Sequence, residues 1–410
     1  SGLFPFHANG LGGIAGMIIL YLLSTSKWTG AAEPVLLLCK ELSKAGHEIH
    51  LAFSQLFEGW RLSKQRGLGY WKKRAQPGGR PGLAEKAAEL GLQVRPDIYL
   101  NTYANIRQNW NDFQVIRRII RQEGIQILHC HLSHAYHLGA LCRPPRGCRI
   151  IYTHHPKHPI RNDIIHRWLV RNRTDHIMTY SPEVAEACIR DFDLPKDKVS
   201  LLLGGIDTGA IPEGLSGLEF RKKWNIPEGC LVFGMAARMQ KRRDHETLLR
   251  SFACLKPSPE RARLVLIGDG EYRENLIALA SELEISDRVI FTGYLKEEYF
   301  SALSALDVFV YTAPGSDASC RAVMEAMALG KPVIGVNSAA LPLLIEPGKD
   351  GYLFPASDSD QLAEHMGQFI HNPWLVSEFG HRCKAKAFQE LTLQRVAHSV
   401  ESVYKQISQG

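Results

Sequence analysis

Residues 311–335, YTAPGSDASCRAVMEAMALGKPVIG, constrain the fold of this chain more than any other stretch. An apolar run at 305–311 leads into it and reads as a buried strand. A polar loop follows at 312–318, with Ser319 placed to cap a helix over 320–329 and Gly330 placed to stop it. Residues 331–335 open the next strand. Strand, loop, helix and strand make one turn of a parallel sheet, and such sheets take ligands at the carboxyl ends of their strands.

Two carboxylates sit in this stretch. Asp317 lies in the loop, and Glu325 lies in a helix face otherwise made of Ala322, Val323, Ala326 and Met327. A carboxylate buried there needs partners, and sugar or ribose hydroxyls would serve. The first free N–H groups of the helix, from Ser319 to Arg321, suit an anion. Hydroxyl acceptors and phosphate donors in one loop are the two needs of a nucleotide-sugar. The plainer alternative is a polar loop and a Glu on the helix surface.

A chain of 410 residues predicts two or three domains. The net charge of +7 fits anionic partners: nucleotide phosphates, an acidic membrane surface or nucleic acid. No zinc finger or RNP box is present, so nucleic acid is not expected. The nine cysteines are scattered and odd in number, which reads as reduced thiols in the cytoplasm. The run 17–23 is far too short to span a membrane. Residues 1–16 lack the features of a signal peptide and read as an added remnant or a loose end. Their Gly10-x-Gly12-x-x-Ala15 precedes the first strand instead of following one, so it is not a dinucleotide site.

Taken in order, the chain alternates strands and helices. Strands are expected at 17–24 and 48–53 with a helix over 31–45 between them, entered through Thr29-Gly30. Residues 56–86 mix Trp60, Tyr70 and Trp71 with Arg61, Lys72 and Lys73, a composition that favours lipid headgroups or else a solvated basic loop. A helix over 112–123 leads to a strand at 125–130 that runs into His129, His131, His134 and His137. No second ligand cluster accompanies these histidines, so no metal site is expected. A strand at 148–152 ends in Thr153-His154-His155. Asp191-x-Asp193 closes a helix and reads as a solvated turn. In the second half, a strand at 230–237 ends in Arg238, Lys241, Arg242 and Arg243, with a helix from Asp244. A strand at 263–267 ends in Gly268 and Gly270, and another at 289–292 ends in Gly293, Tyr294 and Leu295.

Asp317-x7-Glu325 followed by Ala-Met-Ala-x-Gly-Lys-Pro-Val resembles the E-x7-E signature of retaining nucleotide-sugar glycosyltransferases of the GT-B fold, group 1 and family 4-like. The likeness runs over roughly residues 17–406. It implies an α/β architecture of two doubly wound Rossmann-like domains facing across a cleft. Residues 17–207 would bind the acceptor, 208–385 the nucleotide-sugar, and 386–410 would cross back to the first domain. By the same resemblance Asp317 lies near the transferred sugar, Glu325 holds the donor ribose, and His155 bonds a sugar hydroxyl, with His154 next in line if the register slips by one. Arg238 and Arg243 grip the diphosphate, with Lys241 in reach. Gly30, Gly268 and Gly270 bring backbone near the donor, Tyr294 and Leu295 meet the nucleobase, and Ser319, Cys320 and Arg321 begin the phosphate-facing helix.

The chain departs from the family pattern at several points. Asp317 stands where Glu is usual, Gly204 where Asn is, Arg243 where Lys is, and Leu343 where Glu is. These changes bear on the donor sugar more than on the reaction. The expected activity is transfer from a UDP- or GDP-type sugar to a glycan or lipid-linked acceptor, with retention, without metal or cofactor. The expected place is the cytoplasm, peripheral to an anionic membrane face. Two other classes share the architecture: a nucleotide-sugar epimerase and a non-catalytic nucleotide-sugar-binding protein.

Overall fold

The computed structural model describes residues 16–26, 32–54, 82–100, 106–142, 147–155, 160–255, 261–313 and 320–409. They divide into two units, one running to Leu202 and resuming at Val396, the other Leu203–Arg395. No helix among the described residues is long and apolar enough to cross a membrane.

The first unit holds seven described strands: β1 (Ile18–Leu23), β2 (Glu48–Phe53), β3 (Gln93–Val94), β4 (Ile127–His131), β5 (Arg149–His154), β6 (His176–Thr179) and β7 (Val199–Leu201). All pair in parallel, in the order β3-β2-β1-β4-β5-β6-β7. The β1 sequence IILYLL is apolar throughout because helices cover both faces of such a sheet. Connections leave β1 toward β2 and leave β4 toward β5, in opposite directions. Right-handed crossovers therefore put helix Glu33–Lys44 on one face. On the other face helices Ile106–Gln122, Ser133–Leu141, Ile164–Arg173 and Pro182–Phe192 pack neighbour to neighbour.

Helix Ile106–Gln122 begins six residues before the expected start at Asp112. Its stripe of Val115, Ile116, Ile119 and Ile120 seals the core. Asp112 is buried inside the helix and accepts the backbone N–H of Tyr99 at 3.0 Å and of Leu100 at 2.9 Å, so it anchors the incoming loop and does not start the helix. The Asp191-x-Asp193 turn is solvent-facing, with ion pairs Arg190–Asp191 and Arg171–Asp193.

The second unit repeats the plan with β8 (Leu231–Ala236), β9 (Ala262–Ile267), β10 (Val289–Gly293), β11 (Val308–Tyr311), β12 (Val333–Val336) and β13 (Gly351–Phe354). The order is β10-β9-β8-β11-β12-β13, again all parallel. The order reverses between β8 and β11, as it does between β1 and β4. In each unit the loops leaving that pair part and open a crevice at the carboxyl ends.

Two glycines hold the loop after β9 against the loop after β8. A Cβ on Gly268 (φ +136°) would lie 2.3 Å from the Ala237 carbonyl oxygen, and one on Gly270 2.2 Å from that of Met239. Backbone bonds Ala237 N–Ile267 O and Met239 N–Asp269 O, both 3.0 Å, close the contact. What these glycines approach is thus the chain itself.

The last helix, Leu393–Gln409, ends within the first unit. Its Tyr404 hydroxyl meets the Tyr21 hydroxyl of β1 and lies 2.6 Å from His129 Nδ1 of β4. Glu401, on the same helix, lies 3.5 Å from His47 Nε2.

Gly270→Ala is expected to lower stability by roughly 1–3 kcal/mol, the scale of forcing an extra carbon into a packed contact. Gly367→Ala, inside helix Ser359–His371 where a Cβ meets only ordinary contacts, should raise it by up to about 1 kcal/mol. Urea unfolding of both variants checks the pair, and equal shifts would refute the close-approach account.

Candidate functional site

The second unit gathers charge at the β8–β11 crevice. The loop after β8 carries Arg238 and then a 3-10 turn, Lys241–Arg243. Arg243 is 7% exposed, and its Nη1 donates to the Tyr311 hydroxyl at the end of β11 at 2.8 Å. Thr312 Oγ1 donates to the Arg243 carbonyl at 3.0 Å. The loop after β8 is therefore bound to the end of β11. Arg238 is exposed, with Glu271 Oε2 at 3.4 Å, and Lys241 is exposed on its turn.

Glu325 sits in helix Arg321–Ala328, which follows β11. It is 4% exposed, and each carboxylate oxygen has a donor. Arg321 Nε donates to Oε1 at 2.7 Å, and the Tyr299 hydroxyl donates to Oε2 at 2.7 Å. Burial, and then the Glu325 carboxylate, push the Tyr299 phenol well above its ordinary value, so it stays a donor. The helix is shorter than expected at both ends, and its cap position falls on Cys320 in the left-handed region (φ 44°). Asp244, before helix His245–Cys254, is also left-handed (φ 53°). Two non-glycine residues in this region at neighbouring strand ends are the kind of strain that collects at binding sites.

The first unit builds a different surface at its own carboxyl ends. Strand alternation places His129, His131, Thr153 and His155 toward one face and His154 toward the other. His129 is fully buried between Tyr404 and Thr153, whose Oγ1 lies 2.7 Å from Nε2. His131 stacks on His129 with ring centres 4.4 Å apart, and neither of its ring nitrogens has a hydrogen-bond partner among the described residues. His155 is buried with Tyr180 at 5.8 Å and His131 at 5.9 Å. His154 Nε2 accepts instead from Ile160 N. Burial holds the His129 imidazole down at about 3 and His131 well below its ordinary value, so both are neutral. Among the described residues no group of three or more His, Cys, Asp or Glu could hold a metal ion.

The structure thus joins Arg243 to β11, places Arg238 and Lys241 in the loop after β8, and places Cys320, Arg321 and Glu325 at the cap and in the helix after β11, on the two sides of the reversal point. Gly268, Gly270, Tyr294 and Leu295 follow the adjoining strands β9 and β10; Tyr294 is exposed and Leu295 packs on the core. Gly30, Asp317 and Ser319 lie outside the described residues, as does most of the basic-aromatic stretch 56–86. Tyr299 and His245 escaped the sequence reading. Tyr299 lies 26 positions from Glu325 and gives no local signal. His245 is buried one residue past Asp244, with no partner for either ring nitrogen among the described residues, and burial holds it down at about 4.

Comparison with known proteins adds independent observations. The family described as "Glycosyl transferases group 1" matches residues 218–390, and "Glycosyltransferase Family 4" matches residues 28–210. The chain is 25% identical over 287 residues to a D-inositol 3-phosphate glycosyltransferase of Streptomyces scabiei, covering 64% of each. It is 24% identical over 186 residues to an N-acetyl-alpha-D-glucosaminyl L-malate synthase of Bacillus anthracis, covering 45% of this chain and 48% of that one. The match thus spans about half to two thirds of the length of these curated relatives. Among solved structures, a Rickettsia africae glycosyltransferase superposes with a TM-score of 0.74 at 15% identity over 96% of this chain and 98% of its own. Anabaena HepE in complex with UDP gives 0.74 at 16% identity over 95% and 100%. At such identities these structures establish the fold.

The neutral imidazoles set a pH dependence. An unfolded histidine binds a proton near pH 6.5, whereas buried His129 and His131 bind one only at much lower pH. Their contribution to stability is complete above about pH 6.5 and is lost as pH falls toward the folded values, by about 1.4 kcal/mol per pH unit for each ring. Thermal melts between pH 7.5 and 5 should show this slope. His131→Phe, which keeps a stacked ring but cannot titrate, should flatten it.

Proposed function

Since the chain belongs to the GT-B glycosyltransferases of group 1 and family 4, we propose that it moves a sugar from a UDP- or GDP-type nucleotide-sugar to a glycan or lipid-linked acceptor, with retention and without a metal. The observation that carries this reading is the crevice between the β8 and β11 loops, with guanidinium groups after one strand and a buried carboxylate after the other. In the reaction the bond between the anomeric carbon and the diphosphate oxygen breaks, and the departing diphosphate gains negative charge. A guanidinium binds phosphate bidentately and stays charged throughout. Arg243 is held in place by Tyr311 before any ligand arrives, which suits a group that stabilises charge without reorganising. Arg238 is exposed and free to turn from Glu271 onto phosphate.

Glu325 accepts ribose hydroxyls in this reading. Tyr299 and Arg321 fix its two oxygens while lone pairs remain for a ligand. Asp317 orients the transferred sugar, with the helix start at Ser319, Cys320 and Arg321 near phosphate. Lys241, Gly30, Gly268 and Gly270 belong to the donor's surroundings, and Tyr294 and Leu295 to the base. In the first unit, neutral His131, together with His155, suits sugar hydroxyls, because an imidazole can donate and accept. The printed names of relatives support a nucleotide-sugar: a mannosyltransferase of Mycobacterium tuberculosis is GDP-mannose-dependent, and HepE was solved with UDP.

A thermal-shift screen of UDP-, GDP- and ADP-sugars sorts the donor, because a ligand that binds only the folded chain raises its melting point. Arg238→Ala should lower turnover by one to two orders of magnitude, since a charged hydrogen bond contributes roughly 1.5–3 kcal/mol. Unchanged turnover would remove Arg238 from the diphosphate. Glu325→Gln should weaken nucleotide binding in calorimetry, and an unaltered affinity would end the ribose role.

A further inference from the structure

Exposed apolar side chains are unevenly spread over the described surface. Of ten large exposed hydrophobics, five belong to two helices of the first unit: Ile106, Trp110, Ile164, Ile165 and Trp168. Ile106 is 87% exposed and Ile164 is 84% exposed. All five fall within the first five residues of helices Ile106–Gln122 and Ile164–Arg173. The first of these helices turns into β4 at Gly124 (φ +66°), and the second lies between β5 and β6. Both therefore begin at the carboxyl ends of the strands. Helix Ser133–Leu141 packs between them and begins there too, with His137 Nε2 3.0 Å from His166 Nε2. The three helix starts make one rim.

The rim is also cationic. Arg107, Arg161 and Arg167 lie at or beside the two helix starts, whereas Arg117, Arg118, Arg121, Arg171 and Arg173 lie in later turns, where Arg118 faces Asp97 and Arg171 pairs with Asp193. Asp112 is buried on backbone N–H groups, and Asp163, at the second helix start, is exposed but committed as a helix cap and a partner of His166. Arg107 and Arg161 are exposed and pair with no carboxylate among the described residues. The Arg173 guanidinium lies 4.7 Å from the centre of the Trp168 ring. Indoles and isoleucines flanked by guanidiniums complement a surface that is apolar below and anionic above.

We propose that this rim docks on an anionic lipid surface, its apolar side chains among the headgroups and its guanidiniums on lipid phosphates. Docking in this way would bring the strand ends that carry His131 and His155 to a lipid-linked acceptor. Only that last step rests on the transferase reading.

Flotation of the full chain with vesicles tests the proposal. Binding is expected to phosphatidylcholine vesicles containing phosphatidylglycerol, to fall as salt rises, and to be weak on phosphatidylcholine alone. Arg107→Glu/Arg161→Glu and Trp110→Ser/Trp168→Ser should each lower partitioning by roughly tenfold or more, with far-UV circular dichroism and nucleotide affinity unchanged. Equal binding to both vesicle types, or undiminished binding by both folded variants, overturns it. So does a wild-type dimer that ignores vesicles and becomes monomeric in the tryptophan variant, which would assign the rim to self-association. Vesicle binding is read without donor or acceptor, so a failed transferase assay leaves this result standing.

Discussion

The pairing of β8 with β11 is the contact on which the charged crevice depends. Parallel neighbours cannot be joined by a hairpin, so each strand's continuation crosses back through a helix. Where two neighbours send their crossovers in opposite directions, their loops separate and backbone polar groups are left facing outward. Here that opening is lined by Arg238 and Arg243 from one side and by the helix bearing Glu325 from the other. Burying a guanidinium is costly unless it is hydrogen-bonded. The Arg243–Tyr311 bond offsets part of that cost and ties the loop after β8 to the end of β11. Gly268 and Gly270 serve the same end from behind, because only glycine lets the β9 loop press onto Ala237 and Met239.

The two units share a topology and differ in the side chains they carry at their strand ends. In the second unit the groups are ions: guanidiniums, a carboxylate and an ammonium. In the first they are uncharged rings and hydroxyls, stacked and buried. His129 is held by Tyr404, a residue from the far end of the chain, and by Thr153 from the next strand. Those bonds fix the ring on which His131 stacks. Ions suit phosphates, and neutral donor–acceptor groups suit hydroxyls, so one fold plan presents both kinds of chemistry in a single chain.

Most strands were legible because each is a short apolar run bounded by polar residues or glycine. The run at 17–24 became Ile18–Leu23, and that at 230–237 became Leu231–Ala236. Helices were harder to read. Ile164–Arg173 shows three exposed apolar or aromatic positions among its arginines, which blurs any stripe, and it passed unread. Asp112 looks like a start signal, but its carboxylate is taken by a preceding loop, a pairing no local pattern reveals. In the Thr-x-His of β5, His155 was visible, whereas the partner of Thr153 was not, because that partner lies on a neighbouring strand.

The amino-acid sequence by itself determined the alternation of strand and helix, the residue types at the strand ends and the resemblance to GT-B glycosyltransferases, of which the family matches bear out the family. These follow from local composition and spacing, which act over a few residues. Only the tertiary structure decided which strand ends are neighbours, that Glu325 is held by Tyr299, that two glycines touch backbone, and that Tyr404 reaches His129. Such pairings join residues tens to hundreds of positions apart. They exist because packing and hydrogen-bond satisfaction are settled across the whole sheet at once, and no window of sequence contains both partners.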